Sequence, residues 1–211
     1  VPCDEALRLI MERVKPGAQE ESLPVHTCLN RVTAKPVYAN VSNPPFLCSA
    51  MDGFAVVHEN TLGADLANPL ALTVDSEAFA LNTGDMLPHG TDAVIMVEDA
   101  QFAGGAITIR KPVYLWQNTR MVGEDVIEKD MLLPVNHVIT AFDMGMIISA
   151  GITDIAVRKR PRMLVIPTGK ELIDIFKDRH ANPAAGLIDF NSYTLTALAA
   201  QSGCDPVVAH I

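Results

Sequence analysis

The sequence has no basic excess. Its 16 Lys and Arg stand against 25 Asp and Glu, a net charge of −9. That balance argues against a general nucleic-acid binder, which is usually basic. It leaves room for a small anion held in a local positive pocket. Cysteine is scarce: Cys3, Cys28, Cys48 and Cys204 lie far apart, with no C-x-x-C pair. A zinc site or a thioredoxin-like redox motif is therefore not expected. A disulfide framework is not expected either, which points to the cytoplasm. The six histidines show no metal-ligand spacing. No apolar run reaches transmembrane length; the longest lies around Met144 to Ala150. There is no signal-peptide pattern, no internal repeat and no low-complexity tract. The chain opens on Val1, so a start further upstream is expected.

What is present is globular. Hydrophobic residues make up 49% and charged residues 19% of the chain, a balance able to bury a core. At 211 residues it fits one large domain or two modest ones. Residues Asp4 to Val14 read as an amphipathic helix with Asp4 as N-cap. Leu7, Ile10, Met11 and Val14 form a packing stripe, and Pro16-Gly17 is the stop. Val25, Val32, Val37 and Val41 are β-formers in a segment broken by Pro24, Pro36, Pro44 and Pro45. Asn30-Arg31 and Gly104-Gly105 read as turns, the second within a hairpin. Strands are expected at Phe54–Val57, Leu70–Val74, Ala93–Met96 and Ala106–Arg110, in a barrel-like or sandwich module. A helix is expected from Ala141 to Ala150, capped by Gly151, and a short strand at Ile155–Val157. Met163–Ile166 reads as a buried parallel strand and Asn191–Gln201 as a helix closed by Gly203. Pro206–Ile211 begins a further apolar run. That is one β-loop-α-β unit, which cannot cover both faces of its own sheet. A longer parent protein is expected.

Four short stretches set a carboxylate or hydroxyl beside a glycine: Ser49–Ala55, Asn82–Asp85, Arg120–Asp125 and Pro167–Leu172. Glycine lets a backbone approach a ligand closely, and the neighbouring side chain supplies an acceptor, a hydroxyl or a metal ligand. Each stretch alone is also explained as a turn. In Asp52-Gly53, the aspartate bonds its own backbone and the glycine accepts positive φ. Thr168, Gly169 and Glu171 have a stronger context, because ligands of open α/β sheets bind beyond the carboxyl ends of the strands. Asp189 and Asn191 lie on the next connection, where capping of the following helix and ligand binding are equally consistent readings. The Arg158–Arg162 basic cluster reads as a solvated strand end, and Trp116 as packing.

Taken together and in this order, these stretches resemble the MoeA family, the molybdopterin molybdenumtransferases related to the E domain of gephyrin. The family pattern S-A-M-D-G-[YF]-A is matched by Ser49–Ala55. The segments Thr83–Val94, Arg120–Asp125, Pro167–Leu172 and Asp189–Asn191 match its later motifs. Trp116-Gln117 and Ile166–Gly169 look most like a branch carrying a C-terminal domain related to periplasmic ligand-binding proteins. The resemblance implies a multidomain α+β fold. A discontinuous first domain would take 1–45 and 124–160, and an inserted β-rich, barrel-like second domain 46–123. An incomplete α/β molybdopterin-binding third domain would take 161–211. It implies a homodimer whose active site sets one subunit's third domain against the partner's second domain. On that model Asp52 is exposed in a single protomer.

The implied reaction inserts molybdate into adenylylated molybdopterin with Mg²⁺ and releases AMP. The resemblance assigns Asp52, Thr83, Asp125 and Glu171 to catalysis. Ser49, Gly84, Thr168, Gly169, Asp189 and Asn191 would bind substrate. Asp52 and Glu171 are the possible metal ligands. On this reading Asp52, Asp125 and Glu171 orient metal, water or oxyanion, and Thr83 donates to a phosphate or molybdate oxygen. The molybdopterin-adenylylating protein of the same pathway is the implied partner; small anions are the implied ligands. No nucleic acid or membrane is expected. Three departures stand out: Lys170 where many members have Asp, Phe190 where Ser or Thr is usual, and His89 at a variable place. The family's Gly-rich and Gly-Pro-rich segments are absent, so this stretch alone is expected to be inactive. A ligand-sensing protein or a gephyrin-like scaffold on the same framework are the alternatives.

Overall fold

The computed structural model describes residues 2–13, 19–177, 182 and 186–209. The first half of the chain holds helix α1 (Cys3–Arg13) and strands β1 (Glu20–Pro24), β2 (Val37–Tyr38), β3 (Cys48–Ser49) and β4 (Gly53–Val56). There follow β5 (Leu70–Thr73), β6 (Ala78–Leu81), β7 (Ala93–Met96), β8 (Ala100–Ala103), β9 (Ala106–Ile109), β10 (Thr119–Arg120) and β11 (Met131–Leu133). The remainder is α2 (Ala141–Ser149), β12 (Asp154–Arg158), β13 (Arg162–Val165), β14 (Leu172–Ile173), β15 (Leu187–Ile188), α3 (Asn191–Gln201) and β16 (Asp205–Val208). The structure is mostly β with few helices. It divides into two compact units: Val1–Val37 with Leu133–Gly145 and Thr153–Ile211, and Tyr38–Leu132 with Met146–Ile152.

In the unit centred on 38–132, two three-stranded antiparallel sheets pack together, ordered β6-β4-β7 and β5-β9-β8. No closed barrel forms among the described residues, which corrects the barrel-like expectation. The strands are four residues long. The two sheets meet as a layered pair around Val56, Leu72, Ile95, Ile107 and Ile109. Ala55 and Val94 face the opposite way and pack with Leu87, Leu47, Phe79 and Leu81. Strand β4 is thus buried on both faces, which is why Phe54–Val57 reads as one apolar run instead of alternating. Strands β6 and β8 were not anticipated. Ala-Phe-Ala-Leu and Ala-Gln-Phe-Ala carry little β-branched signal, and the cross-strand partners decide their state. Gly104 and Gly105, at φ of 61° and 82°, make the β8–β9 turn.

Gly53 has a different reason from the one expected. It does not occupy positive φ. A Cβ there would stand 1.9 Å from the Ile95 carbonyl oxygen, so glycine is required by close strand approach. Trp116 is also not core packing. It lies 44% exposed, in a left-handed backbone conformation at φ 62°.

In the other unit, β1 pairs antiparallel with β12 from Glu20↔Arg158 to Pro24↔Asp154. Val25 begins a 3₁₀ turn after that strand, and Asn30 takes φ of 60°, as a turn Asn can. Asp4 lies inside α1 and is not its cap, because the helix already begins at Cys3. Leu7, Ile10 and Met11 are exposed, so this stripe is not packed within the unit. Val14 and Pro16-Gly17 lie outside the described residues. Helix α2 has a reciprocal capping box. The Thr140 N–H donates to Asp143 Oδ2 at 2.8 Å and the Asp143 N–H to Thr140 Oγ1 at 3.2 Å. In the 146–152 piece of the unit centred on 38–132, Gly151 ends α2 at φ 77°. Strand β13 runs parallel to β16 with α3 between them in sequence, the expected β-loop-α-β unit. It is not buried: Leu164 is 57% exposed. One partner strand and one helix leave much of its surface uncovered among the described residues. His210 and Ile211, at the end of the last apolar run, lie outside them.

Candidate functional site

Three of the four motif stretches meet in the unit centred on 38–132. Strand β3 carries Ser49, which is buried, and pairs with β10 so that Thr119 faces Ser49 and Arg120 faces Cys48. The Ser49 N–H donates to the Asp85 carbonyl, and the Gly84 N–H donates to the Ser49 carbonyl, both at 2.9 Å. The Ala50 N–H donates to the Asn118 carbonyl at 2.9 Å. The Ser49 hydroxyl donates to the Met51 carbonyl and accepts the Met51 N–H, closing the turn that presents Asp52.

Asp52 is exposed, as the resemblance implied for a single protomer. Its Oδ1 accepts two bonds from Thr83, one from the backbone N–H at 2.6 Å and one from the hydroxyl at 2.9 Å. The Thr83 N–H, then its hydroxyl, hold the Asp52 carboxyl below the usual carboxylate range. The group is therefore ionised at neutral pH. Its Oδ2 accepts no hydrogen bond among the described residues. Thr83 is in turn held by a closed turn: Asn82 N–H donates to Asp85 Oδ2 at 2.7 Å and Asp85 N–H to the Asn82 carbonyl at 3.0 Å. Gly84 supplies the positive φ of 88° that this turn needs. The Thr83 proton is committed to Asp52, so the hydroxyl offers a ligand its lone pairs and not the donor expected from sequence.

The Arg120–Asp125 stretch is an ion-pair fork. The Arg120 guanidinium contacts Asp125 Oδ1 at 2.5 Å and Glu124 Oε1 at 3.3 Å. Glu124 Oε2 accepts the Met121 N–H at 3.1 Å, and Asp125 Oδ2 accepts from Asn43 Nδ2 at 3.1 Å. Both carboxylate oxygens of Asp125 are occupied. Each Asp125 oxygen thus accepts one hydrogen bond, and the side chain stays partly exposed.

The fourth stretch lies in the other unit. A cleft of about 630 Å³ sits past the carboxyl end of β13. Thr168, Asp189 and Asn191 line it, with Ile166, Phe190 and Leu195 as apolar wall. Gly169 takes φ of 148°, and a Cβ there would meet Glu171 Oε1 at 2.6 Å, so the Glu171 carboxylate folds back over the glycine. That carboxylate is exposed and makes no hydrogen bond among the described residues. Asp189 is buried and accepts from the Ser192 N–H at 3.1 Å and the Ser192 hydroxyl at 2.6 Å. It caps the first turn of α3 while lining the cleft. The helix N-terminus and its dipole favour the Asp189 carboxylate at this end of the cleft. Sequence reading missed a second pair, His58 with Asp92, whose ring nitrogen and carboxylate lie 2.7 Å apart. Only the spacing D-A-V after the turn could have pointed to Asp92.

No group of three or more His, Cys, Asp or Glu among the described residues could hold a metal ion. Mg²⁺, however, keeps waters and takes phosphate oxygens, and needs only one or two carboxylates. Asp52, with Oδ2 uncommitted, fits that requirement, and so does Glu171. Among the described residues, no helix is long and apolar enough to cross a membrane.

Comparisons with known proteins agree with these motifs. Residues 1–151 match the family model described as MoeA N-terminal region, domains I and II. A molybdopterin molybdenumtransferase of Haemophilus influenzae is 30% identical over 220 residues, 97% of this chain and 52% of that protein. One of Staphylococcus aureus is 30% identical over 195 residues, 83% of this chain and 45% of that protein. The crystal structure of a molybdopterin biosynthesis MoeA protein from Pyrococcus horikoshii OT3 superposes with a TM-score of 0.84 at 28% identity. It covers 100% of this chain and 59% of that one. The chain spans about half the length of the curated relatives it matches.

Proposed function

The chain belongs to the MoeA family, and on that premise we propose that its parent protein acts in molybdenum cofactor biosynthesis, inserting molybdate into adenylylated molybdopterin with release of AMP. The observation that carries this reading is the Thr83–Asp52 pair, in which two motifs far apart in sequence converge on one exposed carboxylate. Exposure and ionisation are what a group needs to meet an incoming ligand. Two hydrogen bonds from one residue fix its orientation beforehand.

On this reading Asp52 faces the reacting phosphates and molybdate, and Thr83 fixes it. Ser49 and Gly84 shape the loop. Asp125 stands with them, bound to Arg120 and Asn43. Thr168, Gly169, Asp189 and Asn191 receive the pterin or phosphate end of the substrate, with Glu171 beside them. Mg²⁺ would be held by Asp52, with Glu171 a second candidate, and would neutralise phosphate charge. Cleaving a phosphoanhydride depends on charge stabilisation and positioning, which suits carboxylates better than a strong nucleophile. The domain division 1–45 with 124–160, 46–123, and from 161 onward belongs to the same proposal. So do a cytoplasmic homodimer and the adenylylating protein as donor of substrate. In that dimer Asp52 of one protomer would serve the α/β cleft of its partner. The residue 1–211 stretch alone is expected to show no turnover.

The test uses the whole parent protein with adenylylated molybdopterin, molybdate and Mg²⁺, and measures AMP. AMP release that depends on molybdate supports the reading. Absence of AMP release, with binding of ligand intact, would favour a sensing or scaffold protein.

A further inference from the structure

We propose that Arg120, Asp125 and Asn43 form a clamp that positions Asp52, so that Asp125 acts by holding the site and does not itself meet the ligand. The inference rests on the reading of Asp52 as the group that faces substrate. The family resemblance implies a ligand-facing role for Asp125. The structure engages both oxygens of that carboxylate within the protein, with the Arg120 guanidinium on Oδ1 and Asn43 Nδ2 on Oδ2. Its backbone is tied as well, since the Asp125 N–H donates to the Asn43 carbonyl at 2.9 Å. The Gly123 N–H donates to the Pro44 carbonyl at 2.9 Å. Segment 43–44 and segment 123–125 are therefore one hydrogen-bonded body.

What that body holds is the frame of Asp52. Arg120 is the β10 residue opposite Cys48, next to the Thr119–Ser49 pair. Ser49 touches both halves of the carboxylate's support: the Asp85 and Gly84 backbone on the Thr83 turn, and the Met51 backbone on the Asp52 turn. If the fork loosens, β10 slides against β3, and the two turns no longer meet with the Thr83 N–H on Oδ1. A guanidinium suits this place because its planar fork reaches Glu124 and Asp125 together in a fixed geometry; an ammonium carries three donors but no such fork. Each arm alone is partly exposed and contributes little, but the arms share one cation and bridge two segments.

The measurement is the backbone amide signal of Thr83 in the whole protein, in Arg120→Lys and Asp125→Asn. An amide bonded to a carboxylate resonates downfield. We expect that signal to move upfield in both variants. Amides of the β4–β7 ladder, such as Ala55 and Val94, should keep their wild-type shifts. A general loss of stability would disturb the ladder as well, so it does not mimic the expected pattern. If Arg120→Lys fails to fold, Asn43→Ala removes only the neutral arm and should move the same signal. A Thr83 amide unchanged in the folded variants overturns the clamp, whether or not activity falls. An activity loss with that amide unchanged would make Asp125 a direct ligand. The proposed function fails separately, if Asp52→Asn leaves turnover of the whole protein intact.

Discussion

At the scale of single residues, the decisive feature is one carboxylate oxygen that accepts two bonds from Thr83 while the other stays open. Thr83→Val removes the hydroxyl and leaves the N–H. The Asp52 pKa should then rise toward the ordinary carboxylate range, measured by carbon NMR titration of the carboxyl. The sign for stability follows. A depressed folded-state pKa contributes stability above the unfolded value, and that contribution is lost as pH falls through the folded one. Asp52→Asn should therefore flatten the acid limb of the stability profile in urea melts below the ordinary carboxylate pKa, with little change in slope at neutral pH. Gly53 is the other residue with a sharp consequence. Gly53→Ala drives a methyl against the Ile95 carbonyl. A cost of roughly 1–3 kcal/mol in chemical denaturation is expected from overpacking.

At the scale of elements, the helix caps separate structure from function. Burial pushes the Asp143 carboxyl up, but the Thr140 N–H and hydroxyl and the His137 ring outweigh it and leave it below its ordinary value. Thr140→Ala breaks the α2 capping box and should cost about 0.5–2 kcal/mol by urea melt. Asp189 both caps α3 and lines the cleft, and two substitutions divide those roles. Asp189→Asn keeps a capping acceptor and should hold stability within a few tenths of a kcal/mol. Asp189→Ala should lose about 1 kcal/mol. If the carboxylate also serves a ligand, both variants lose affinity in calorimetric titration with a pterin phosphate. If it only caps, Asp189→Asn binds as wild type.

Those elements also show what could be read from sequence. Strand β7 and helix α3 were legible to the residue, because a β-branched run and a bounded helical stretch carry local signals. Strands β6 and β8 were not, since their alanines take their state from partners across the sheet. Gly53 was legible as a special glycine but not for the right reason, because the Ile95 carbonyl it accommodates lies 42 positions away. The pairing of Asp52 with Thr83 could not be read from spacing, since 31 residues separate them. Only the resemblance to a known pattern set them side by side. The occupied state of Asp125 was hidden for the same reason: Asn43, its partner, is 82 residues distant.

At the scale of the molecule, the chain divides into two compact units, each with a motif of its own. One presents an ionised carboxylate, oriented by Thr83, beside a pair of packed sheets. The other presents a cleft at the carboxyl end of a parallel strand and the start of a helix. The proposed insertion of an oxyanion into a phosphorylated pterin calls on both motifs. The family places both in one protein, and this chain spans about half the length of its matched relatives. The most direct measurement is restoration of molybdenum-enzyme activity in a strain that lacks molybdenum insertion, using the whole parent protein and its Asp52→Ala variant at equal abundance. The account predicts rescue by the wild type and none by Asp52→Ala. Full rescue by Asp52→Ala would contradict it.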